Sequence, residues 1–308
     1  MPFTIIALKN IDFPYEIIVV DDCSTDGSVE FIKSAYPEII LVVNRENKGF
    51  SYACNRGIEI AKCQLILLLN SDVKLSANYF EHQWKYFMRW DTFGVMGRIT
   101  DMTGEKIQDA ARLPKWNGFK LKTDYFYYTR AEGDRLYTLY LSGANALIDA
   151  EKLKEMGGFN ELFSPFYCED MELSMRAWVL KWKCYYEHNS VCQHMVSAST
   201  KNYAPAKKIK SIYFRNRLYF QAIYLNGLPL VGWFLQVTLF DLLPRLIIGQ
   251  GWFVKSYLNL FKNAKAIQQS RSDVKALLED QESEIDIFDV VSKIRTSMKN
   301  KKHVRLKV

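Results

Sequence analysis

Three short, continuously apolar runs, separated by amphipathic stretches, constrain the fold of this chain of 308 residues more than any other feature. The runs lie at residues 16–20, 39–43 and 65–69 and consist almost entirely of Ile, Leu and Val. Strands that are apolar on both faces and alternate with helices are typical of a parallel sheet covered by helices on both sides. Such sheets bind ligands beyond the carboxyl ends of their strands. The segments that follow the three runs are therefore expected to carry the chemistry.

The composition divides the chain into three segments. Residues 1–200 are predicted to form an α/β catalytic domain, residues 201–270 a basic and apolar helical region, and residues 271–308 a charged tail that is helical or disordered. The apolar run of the second segment contains an Asp, a Pro and an Arg, so a clean membrane span is not predicted. A basic stretch beside an apolar one is typical of a surface that lies among lipid headgroups. Packing of this surface on the catalytic domain is the alternative.

Composition and missing motifs exclude several other classes of protein. With 49% apolar and 24% charged residues, the chain is neither disordered nor collagen-like. It contains no GxGxxG and no GxxxxGKS/T, so neither a dinucleotide fingerprint nor a P-loop is predicted. Its six cysteines include no CxxC pair, which argues against a zinc ribbon and favours free thiols in a reducing compartment. The basic residues cluster outside the predicted sheet, so no nucleic-acid partner is expected.

Polar segments follow the first two predicted strands. Asp21 and Asp22 emerge consecutively from an apolar strand, which helix capping does not explain. Carboxylates at this position can hydrogen-bond a base or a ribose. The second segment contains Asn47 and Gly49, and a glycine at a strand-to-helix turn allows a ligand to approach the backbone closely.

A third polar segment, Asn70-Ser71-Asp72, follows the third strand and precedes a helix predicted over 77–90. Asp72 is well placed to hold a divalent cation, because hard oxygen ligands suit Mg²⁺ or Mn²⁺ that bridges to a diphosphate. Capping of the following helix is the alternative.

A pair of acidic residues, Glu169 and Asp170, opens another predicted helix, where the helix dipole favours negative charge. Glu172 and Arg176 on the same helix have the spacing of an i,i+4 ion pair. Asp170 remains as a candidate general base. His194 is a candidate metal ligand, although a lone histidine is more often structural.

Taken in order, these segments resemble the family-2 inverting glycosyltransferases of GT-A fold, an α/β fold with helices on both faces of a mostly parallel sheet. The segments that carry the resemblance are DDCSTDGS, NKGFSYACNRG, LLLNSD, SGANALI, GGFNELFSPFYCEDMELSMRAW and CQH. Each segment alone is weak evidence for this family, but the whole set, in this order over roughly residues 15–200, is specific to it. The chain is most similar to the rhamnosyltransferase-like branch that acts in bacterial surface polysaccharides.

The resemblance implies a role for each candidate residue. The residues implied to bind the nucleotide sugar are Asp21, Asp22, Asn47, Gly49, Asn70 and Ser71. Asn70 stands where the DxD-type motif of the family has its first Asp, which leaves Asp72 as the carboxylate ligand. Asp72 and His194 would hold the Mg²⁺ or Mn²⁺ ion. Asp170, next to Glu169, would be the catalytic base.

The activity implied is transfer of a sugar, with inversion, from a dTDP- or UDP-linked donor to a hydroxyl of a glycan or lipid-linked acceptor. This fits synthesis of cell-surface polysaccharide or glycolipid by a cytoplasmic protein on the inner face of the plasma membrane. One alternative is a catalytically impaired paralogue that acts as a membrane-docked scaffold. Another is a nucleotidyltransferase, but the glycine- and Lys/Arg-rich loop of such enzymes is not visible.

One departure from the family concerns its first strand. Phe13-Pro14-Tyr15-Glu16 leads directly into what corresponds to the second strand of the family. The 12 residues before it are too few for a strand and a helix. A sheet that lacks an inner strand has unpaired backbone groups, which favour association with a partner or formation of a homo-oligomer.

Overall fold

Strands and helices alternate along the first part of the chain, as the apolar pattern predicts. The computed structural model describes residues 13–131, 135–195 and 205–306. The first elements are β1 (Ile18–Asp21), α1 (Ser28–Ala35), β2 (Ile40–Val43) and α2 (Phe50–Ile60). Strands β1 and β2 are parallel, and their register pairs Asp21 with Val43. The polar segments that follow these two strands therefore emerge at the same edge.

A seven-stranded sheet forms the centre of the catalytic region. Its strands are β3 (Leu65–Leu69), β4 (Val73–Leu75), β5 (Thr92–Thr100), β6 (Ile107–Asp109), β9 (Leu136–Tyr137), β10 (Asn145–Asp149) and β11 (Lys183–His194). The main path runs β3-β10-β5-β11-β4, with β6 beside β5 and β9 beside β11. Strands β5 and β11 are parallel, whereas β10 is antiparallel to both of its neighbours. The predicted α/β class is confirmed. Because β10 runs antiparallel to its neighbours, this sheet contains both strand directions.

The β1–β2 pair forms a separate two-stranded sheet among the described residues. It is tied at its start to the loop that precedes β3, where Glu16 Oε1 accepts the backbone N–H groups of Lys62 at 2.6 Å and Cys63 at 3.0 Å. Four of the five residues of β3 are only half-buried. The residues on which the expected lack of a first strand depends, 1–12, lie outside the described residues.

The region from 100 to 136, which has no clear sequence pattern, contains a long hairpin. Its strands are β7 (Ala111–Asn117) and β8 (Lys120–Tyr128), and β12 (Val304–Leu306) pairs with β8 to complete a three-stranded sheet. The helix predicted over 77–90 is wrong for most of its length. A series of turns precedes the short α3 (Trp84–Phe87), because the chain first forms β4 and then hydrogen-bonds back to β11 through Ser76 N–H and Val191 O at 3.0 Å.

Helices cover the sheet and extend into the C-terminal region. They are α4 (Ala150–Glu155), α5 (Glu169–Val179), α6 (Ala206–Tyr224), α7 (Gly227–Gln236), α8 (Leu243–Ile247), α9 (Gly251–Lys262), α10 (Ala264–Asp280) and α11 (Ile287–Ser297). A single hydrophobic cluster includes Trp178 of α5, Leu218 of α6, Trp233 of α7 and Ile294 of α11. The C-terminal helices therefore pack on the catalytic sheet. Within residues 271–306, the chain forms the end of α10, α11 and β12.

One stretch in the described part of the chain, residues 227–247, is long and apolar enough to cross a membrane by length and composition. It consists of α7, a π-helical segment (Val237–Leu242) and α8. We use the name apolar patch for six of its exposed apolar side chains: Leu228, Val231, Leu235, Leu239, Phe240 and Ile247. The opposite side packs on the protein through the buried Trp233 and Val237. Packing on the protein, one option of the sequence analysis, is thus observed for one side of this stretch, and the other side is exposed.

A buried ion pair fixes α5 against the turn that follows α4. Arg176 donates to Glu172 Oε2 at 2.8 Å and to the carbonyls of Met156 at 2.6 Å and Gly158 at 2.9 Å. Tyr224 of α6 donates its hydroxyl to Glu172 Oε1 at 3.0 Å. The predicted i,i+4 pair is therefore present, and it joins three elements around the start of α5.

Arg176→Ala is expected to lower the free energy of unfolding by about 3–5 kcal/mol, because it leaves the Glu172 carboxylate buried without its cation. Urea denaturation measures the change. The control is Arg56→Ala, whose ion pair with Glu59 is exposed and should contribute about 0–1 kcal/mol. Equal effects of the two substitutions would contradict this role for the buried pair.

Candidate active site

The register between β4 and β11 brings Asp72 and His194 together. Val73, the first residue of β4, pairs with His194, the last residue of β11. The Met195 N–H donates to the Asp72 carbonyl at 3.1 Å. As a result, Asp72 Oδ1 lies 3.3 Å from His194 Nε2, and both side chains are partly open to solvent. The two residues predicted as metal ligands are therefore neighbours, although 122 positions separate them in the sequence.

The chemistry of this pair fits a divalent cation that a ligand helps to bind. A carboxylate oxygen and an imidazole nitrogen are both donors for Mn²⁺, and Mg²⁺ is commonly held by one or two carboxylates together with substrate phosphates. In the described ranges, the structure contains no cluster of three or more His, Cys, Asp or Glu arranged around a common metal position. A metal at Asp72 and His194 would therefore need further ligands from a bound phosphate group and water.

The loop before α5 positions Glu169 and Asp170 through an unusual backbone conformation. Tyr167 and Cys168 both have positive φ, 75° and 68°, in a region that residues with a side chain rarely adopt. The buried Asn216 of α6 holds this loop by donating its side-chain amide to the carbonyls of Phe163, Phe166 and Tyr167. The start of α5 therefore depends on a contact with the C-terminal helical region.

Burial sets the protonation of the two carboxyl groups at the start of α5. Desolvation raises the pKa of Glu169, and the neighbouring charge of Asp170 raises it further. Desolvation also raises the pKa of Asp170. Glu169 Oε2 is buried without a hydrogen-bond partner among the described residues. Because a shared proton relieves the repulsion of such a pair, we interpret Glu169 as the more readily protonated member and Asp170 as the more readily ionised one.

A second buried ion pair, which sequence reasoning missed, lies next to Asp170. Arg112 donates to Asp109 and to the Tyr140 carbonyl at 3.0 Å, and its guanidinium lies 4.1 Å from the centre of the Tyr140 ring. The charge of Arg112 opposes the rise in the pKa of Asp170. Burial raises the pKa of Asp109, and the charges of Arg112 and of protonated His194 oppose this rise. The pair therefore interacts electrostatically with both the candidate base and His194.

Asp21 and Asp22 have structural contacts that the sequence did not indicate. Asp22 Oδ2 accepts the Gly49 N–H at 2.7 Å, and Oδ1 accepts the Lys48 N–H at 3.2 Å and Asn44 Nδ2 at 2.9 Å. Asp21 Oδ2 accepts the N–H of the residue three positions later at 2.9 Å. Both carboxylates thus shape the loops at the carboxyl ends of β1 and β2. The donors on Asp22 are mostly backbone N–H groups, which no sequence motif marks.

Gly49 brings the Asp22 loop into contact with the loop before α5. Its φ is 92°, and a Cβ atom there would lie 2.7 Å from the Cα of Pro165. The Phe50 N–H donates to the Pro165 carbonyl at 2.9 Å. Only glycine allows this approach, so the candidate nucleotide loop and the candidate base are connected through a direct backbone contact.

The other predicted nucleotide-binding residues lie at the same rim of the molecule. Asn70 and Ser71 form the turn between β3 and β4, where the Val73 N–H donates to the Asn70 carbonyl at 3.2 Å. Asn47 is exposed in the loop that leads to Gly49. The predicted residues thus fall into an Asp72–His194 group, a Glu169–Asp170 group and a loop group around Asp22. The Asp109–Arg112 pair and the Gly49–Pro165 contact link the three.

Similar sequences come from bacterial cell-surface glycosyltransferases. N-acetylglucosaminyl-diphospho-decaprenol L-rhamnosyltransferase of Mycobacterium tuberculosis (strain ATCC 25618 / H37Rv) is 24% identical over 212 residues, which cover 61% of this chain and 68% of the relative. Poly(ribitol-phosphate) beta-glucosyltransferase of Bacillus spizizenii is 28% identical over 174 residues, 54% of this chain and 25% of the relative. The likeness to the first relative agrees with the rhamnosyltransferase-like branch.

Solved structures share the fold. GalNAc-T7 with UDP, GalNAc and Mn²⁺ superposes with a TM-score of 0.57 at 14% identity, covering 92% of this chain and 50% of that one. S. aureus TarS 1–349 in complex with UDP-GlcNAc superposes with a TM-score of 0.52 at 16% identity, covering 96% and 85%. This chain therefore has the predicted GT-A fold and spans half the length of the GalNAc-T7 chain. The model of glycosyl transferase family 2 matches residues 2–157, just over half of the sequence, and the chain belongs to that family.

Proposed function

We propose that this protein transfers a sugar from a nucleotide diphosphate to an acceptor hydroxyl, with inversion and with the help of a divalent cation. The observation that carries the proposal is the position of Asp170. It lies half-buried at the start of α5, where the charges of Arg112 and Asp109 act on it, and the charge of His194 acts on Asp109 in turn. A base, a cation and a metal-binding pair around one rim are the components that this reaction needs.

In this mechanism Asp170 accepts the proton of the attacking acceptor hydroxyl. The hydroxyl oxygen forms a bond to the anomeric carbon as the bond to the diphosphate breaks on the opposite face, which inverts the centre. Base catalysis of this kind contributes a factor of about 10²–10⁴ to the rate. Arg112 maintains a negative charge on Asp170 against the effect of burial, and holding both substrates in line supplies much of the remaining acceleration.

Asp72 and His194 would hold the Mg²⁺ or Mn²⁺ ion. When bound, a divalent cation neutralises the charge that develops on the departing diphosphate. The Gly49 loop, shaped by Asp22, would then surround the nucleotide with Asp21, Asn47, Asn70 and Ser71. The similar structure of TarS was solved with UDP-GlcNAc and that of GalNAc-T7 with UDP and Mn²⁺. These ligands support a dTDP- or UDP-linked donor for this chain.

A lipid-linked or glycan acceptor fits the outer surface of the C-terminal region. The M. tuberculosis relative is named for an acceptor in which a sugar is joined through a diphosphate to decaprenol. In this chain the apolar patch presents large side chains to solvent, including Leu228 at 84% and Phe240 at 71% exposure. A contiguous apolar surface of this kind is typical of a membrane contact. We therefore place the protein on the cytoplasmic face of the membrane, where it would act in polysaccharide or glycolipid synthesis.

A catalytically impaired scaffold is the second candidate, and the split between β1 and β3 favours it. The nucleotide loop belongs to the small sheet, so its position depends on the few contacts that join the two sheets. Calorimetry with UDP or dTDP sugars and Mn²⁺ separates the candidates, because a scaffold should show no metal-dependent binding.

Asp170→Asn is expected to reduce sugar transfer by a factor of about 10²–10⁴ while donor binding stays nearly unchanged, since the amide cannot accept the proton. Release of nucleoside diphosphate and calorimetry with donor and Mn²⁺ measure the two quantities. The matched control is Asp280→Asn, at the exposed end of α10, which should transfer at the wild-type rate. Retention of more than about a tenth of the activity by Asp170→Asn would remove Asp170 from the role of base.

The rate should also rise with pH. The apparent pKa of this rise should lie above about 4, the ordinary value for a carboxyl group. The reason is that burial raises the pKa of Asp170, so the base is protonated and inactive at a pH where an exposed carboxylate is already ionised. A profile of kcat against pH, recorded with saturating donor and acceptor, tests this. A limb at the ordinary value would show that Asp170 is not the titrating group.

The full chain should sediment with vesicles that contain phosphatidylglycerol at low salt, and Leu239→Asp together with Phe240→Asp should abolish this, because charges on the apolar patch oppose insertion. Met88→Asp is the matched control, since Met88 is exposed but lies outside the patch. If the wild type remains in the supernatant, or if the control loses binding equally, the membrane contact at this patch is disproved.

A further inference from the structure

A group of three cations lies between the apolar patch and the candidate base. Lys120 and Lys122 belong to β8, and Arg217 belongs to α6; we call them the cationic cluster. Arg217 Nη2 donates to the Leu121 carbonyl at 3.1 Å, which places its guanidinium beside the two lysines of that strand. Lys120 and Arg217 act electrostatically on Lys122, so the three positive charges share one region.

The cationic cluster has few negative charges near it. Lys120 pairs with Asp241 of the π-helical segment, and Asp241 is shared with Arg245 at 3.1 Å. For Lys122 and Arg217, the described part of the chain provides no carboxylate within 4.0 Å. Two cations thus remain uncompensated in a half-buried setting, where positive charge is costly without an anion. Burial and the neighbouring cations accordingly lower the pKa of Lys122, with Asp241 as the opposing group.

On its outer side, the cationic cluster adjoins the apolar patch. The tip of the β7–β8 hairpin is attached to the helix of the patch, because Gln236 Oε1 accepts the Phe119 N–H at 2.7 Å and Gln236 Nε2 donates to the Asn117 carbonyl at 3.0 Å. The Phe119 ring packs against Gly232 of the same helix. The Lys120–Asp241 pair follows directly after this contact. A molecule lying along the patch would therefore meet Lys120 and Lys122 at its polar end.

On its inner side, the cationic cluster leads to Asp170. The charge of Arg217 acts on Cys168 and on Tyr140. Cys168 lies two positions before Asp170, and Tyr140 stacks on Arg112, which faces Asp170. On an acceptor built from a hydrocarbon chain, a diphosphate and a sugar, the hydrocarbon would thus lie on the apolar patch and the diphosphate at the cationic cluster. The sugar would lie at the candidate base.

We infer that the cationic cluster binds the diphosphate of a polyprenyl-diphosphate-linked acceptor whose hydrocarbon lies along the apolar patch and whose sugar reaches Asp170. This inference rests on the proposed function. Diphosphate oxygens accept charge-assisted hydrogen bonds from Lys and Arg, and the match of charge supplies specificity over a neutral prenyl alcohol. Lys122 is expected to contribute most to diphosphate binding, because its side chain is half-buried and has no carboxylate partner among the described residues.

The test is calorimetric titration of the full chain with geranylgeranyl diphosphate, geranylgeranyl monophosphate and geranylgeraniol in phosphatidylcholine vesicles. The diphosphate should bind at least about tenfold more tightly than the alcohol, which corresponds to one charge-assisted hydrogen bond. Lys122→Gln should lose about tenfold in affinity for the diphosphate and leave the affinity for the alcohol unchanged. Lys122→Arg should retain most of the wild-type affinity.

The matched control is Lys275→Gln, which removes an exposed lysine on α10 and should leave all three affinities unchanged. Equal binding of the diphosphate and the alcohol, or no effect of Lys122→Gln, would overturn the inference. Equal competition by phosphatidylglycerol vesicles would show that the cluster binds general headgroups, and competition by UDP with Mn²⁺ would assign it to the donor; either result overturns it. Binding of UDP with Mn²⁺ to the same samples reports on the proposed function separately.

Discussion

The conformation of the loop before α5 is the constraint on which the candidate site depends. Tyr167 and Cys168 are held at positive φ, and the amide of Asn216 satisfies three carbonyls of the same loop. From the other side, the loop contacts the backbone at Gly49, where no side chain would fit. The start of α5 is thereby fixed between the candidate nucleotide loop and the C-terminal helices. Any change in either neighbour alters the position of Asp170.

Electrostatics in the site follow from this fixed geometry. Two adjacent carboxyl groups at a buried helix start cannot both ionise freely, since each raises the energy of the other's charge. Arg112 favours the ionised form of Asp170, whereas no cation in the described part of the chain does the same for Glu169. One carboxylate and one carboxylic acid side by side are the result that this environment favours. The Asp109–Arg112 pair interacts electrostatically with both Asp170 and His194.

The sequence predicts the α/β class, the positions of several early elements and the family, because these depend on local apolar patterns and on ordered motifs. The closeness of Asp72 to His194 depends on the register of β4 with β11, and the motifs imply it only through the resemblance. The importance of Asp109 and Arg112 could not be predicted, since β6 has only three residues and the partners of Arg112 are distant in sequence. The helix predicted over 77–90 is wrong for most of its length because the apolar spacing there reflects burial of Tyr79 from a turn and of Tyr86 from the short α3. The bonds to Asp22 come mainly from backbone groups, which every sequence contains.

The position of Asn216 means that the C-terminal helices cannot be exchanged independently of the catalytic sheet. Asn216 lies on α6, the helix that leads directly into the stretch bearing the apolar patch, yet its side chain supports the loop of the catalytic sheet. A chimera that exchanges the C-terminal helices with those of another enzyme would therefore remove part of the catalytic framework as well. Recombination between related enzymes is compatible with this architecture only where α6 and the loop before α5 are inherited together.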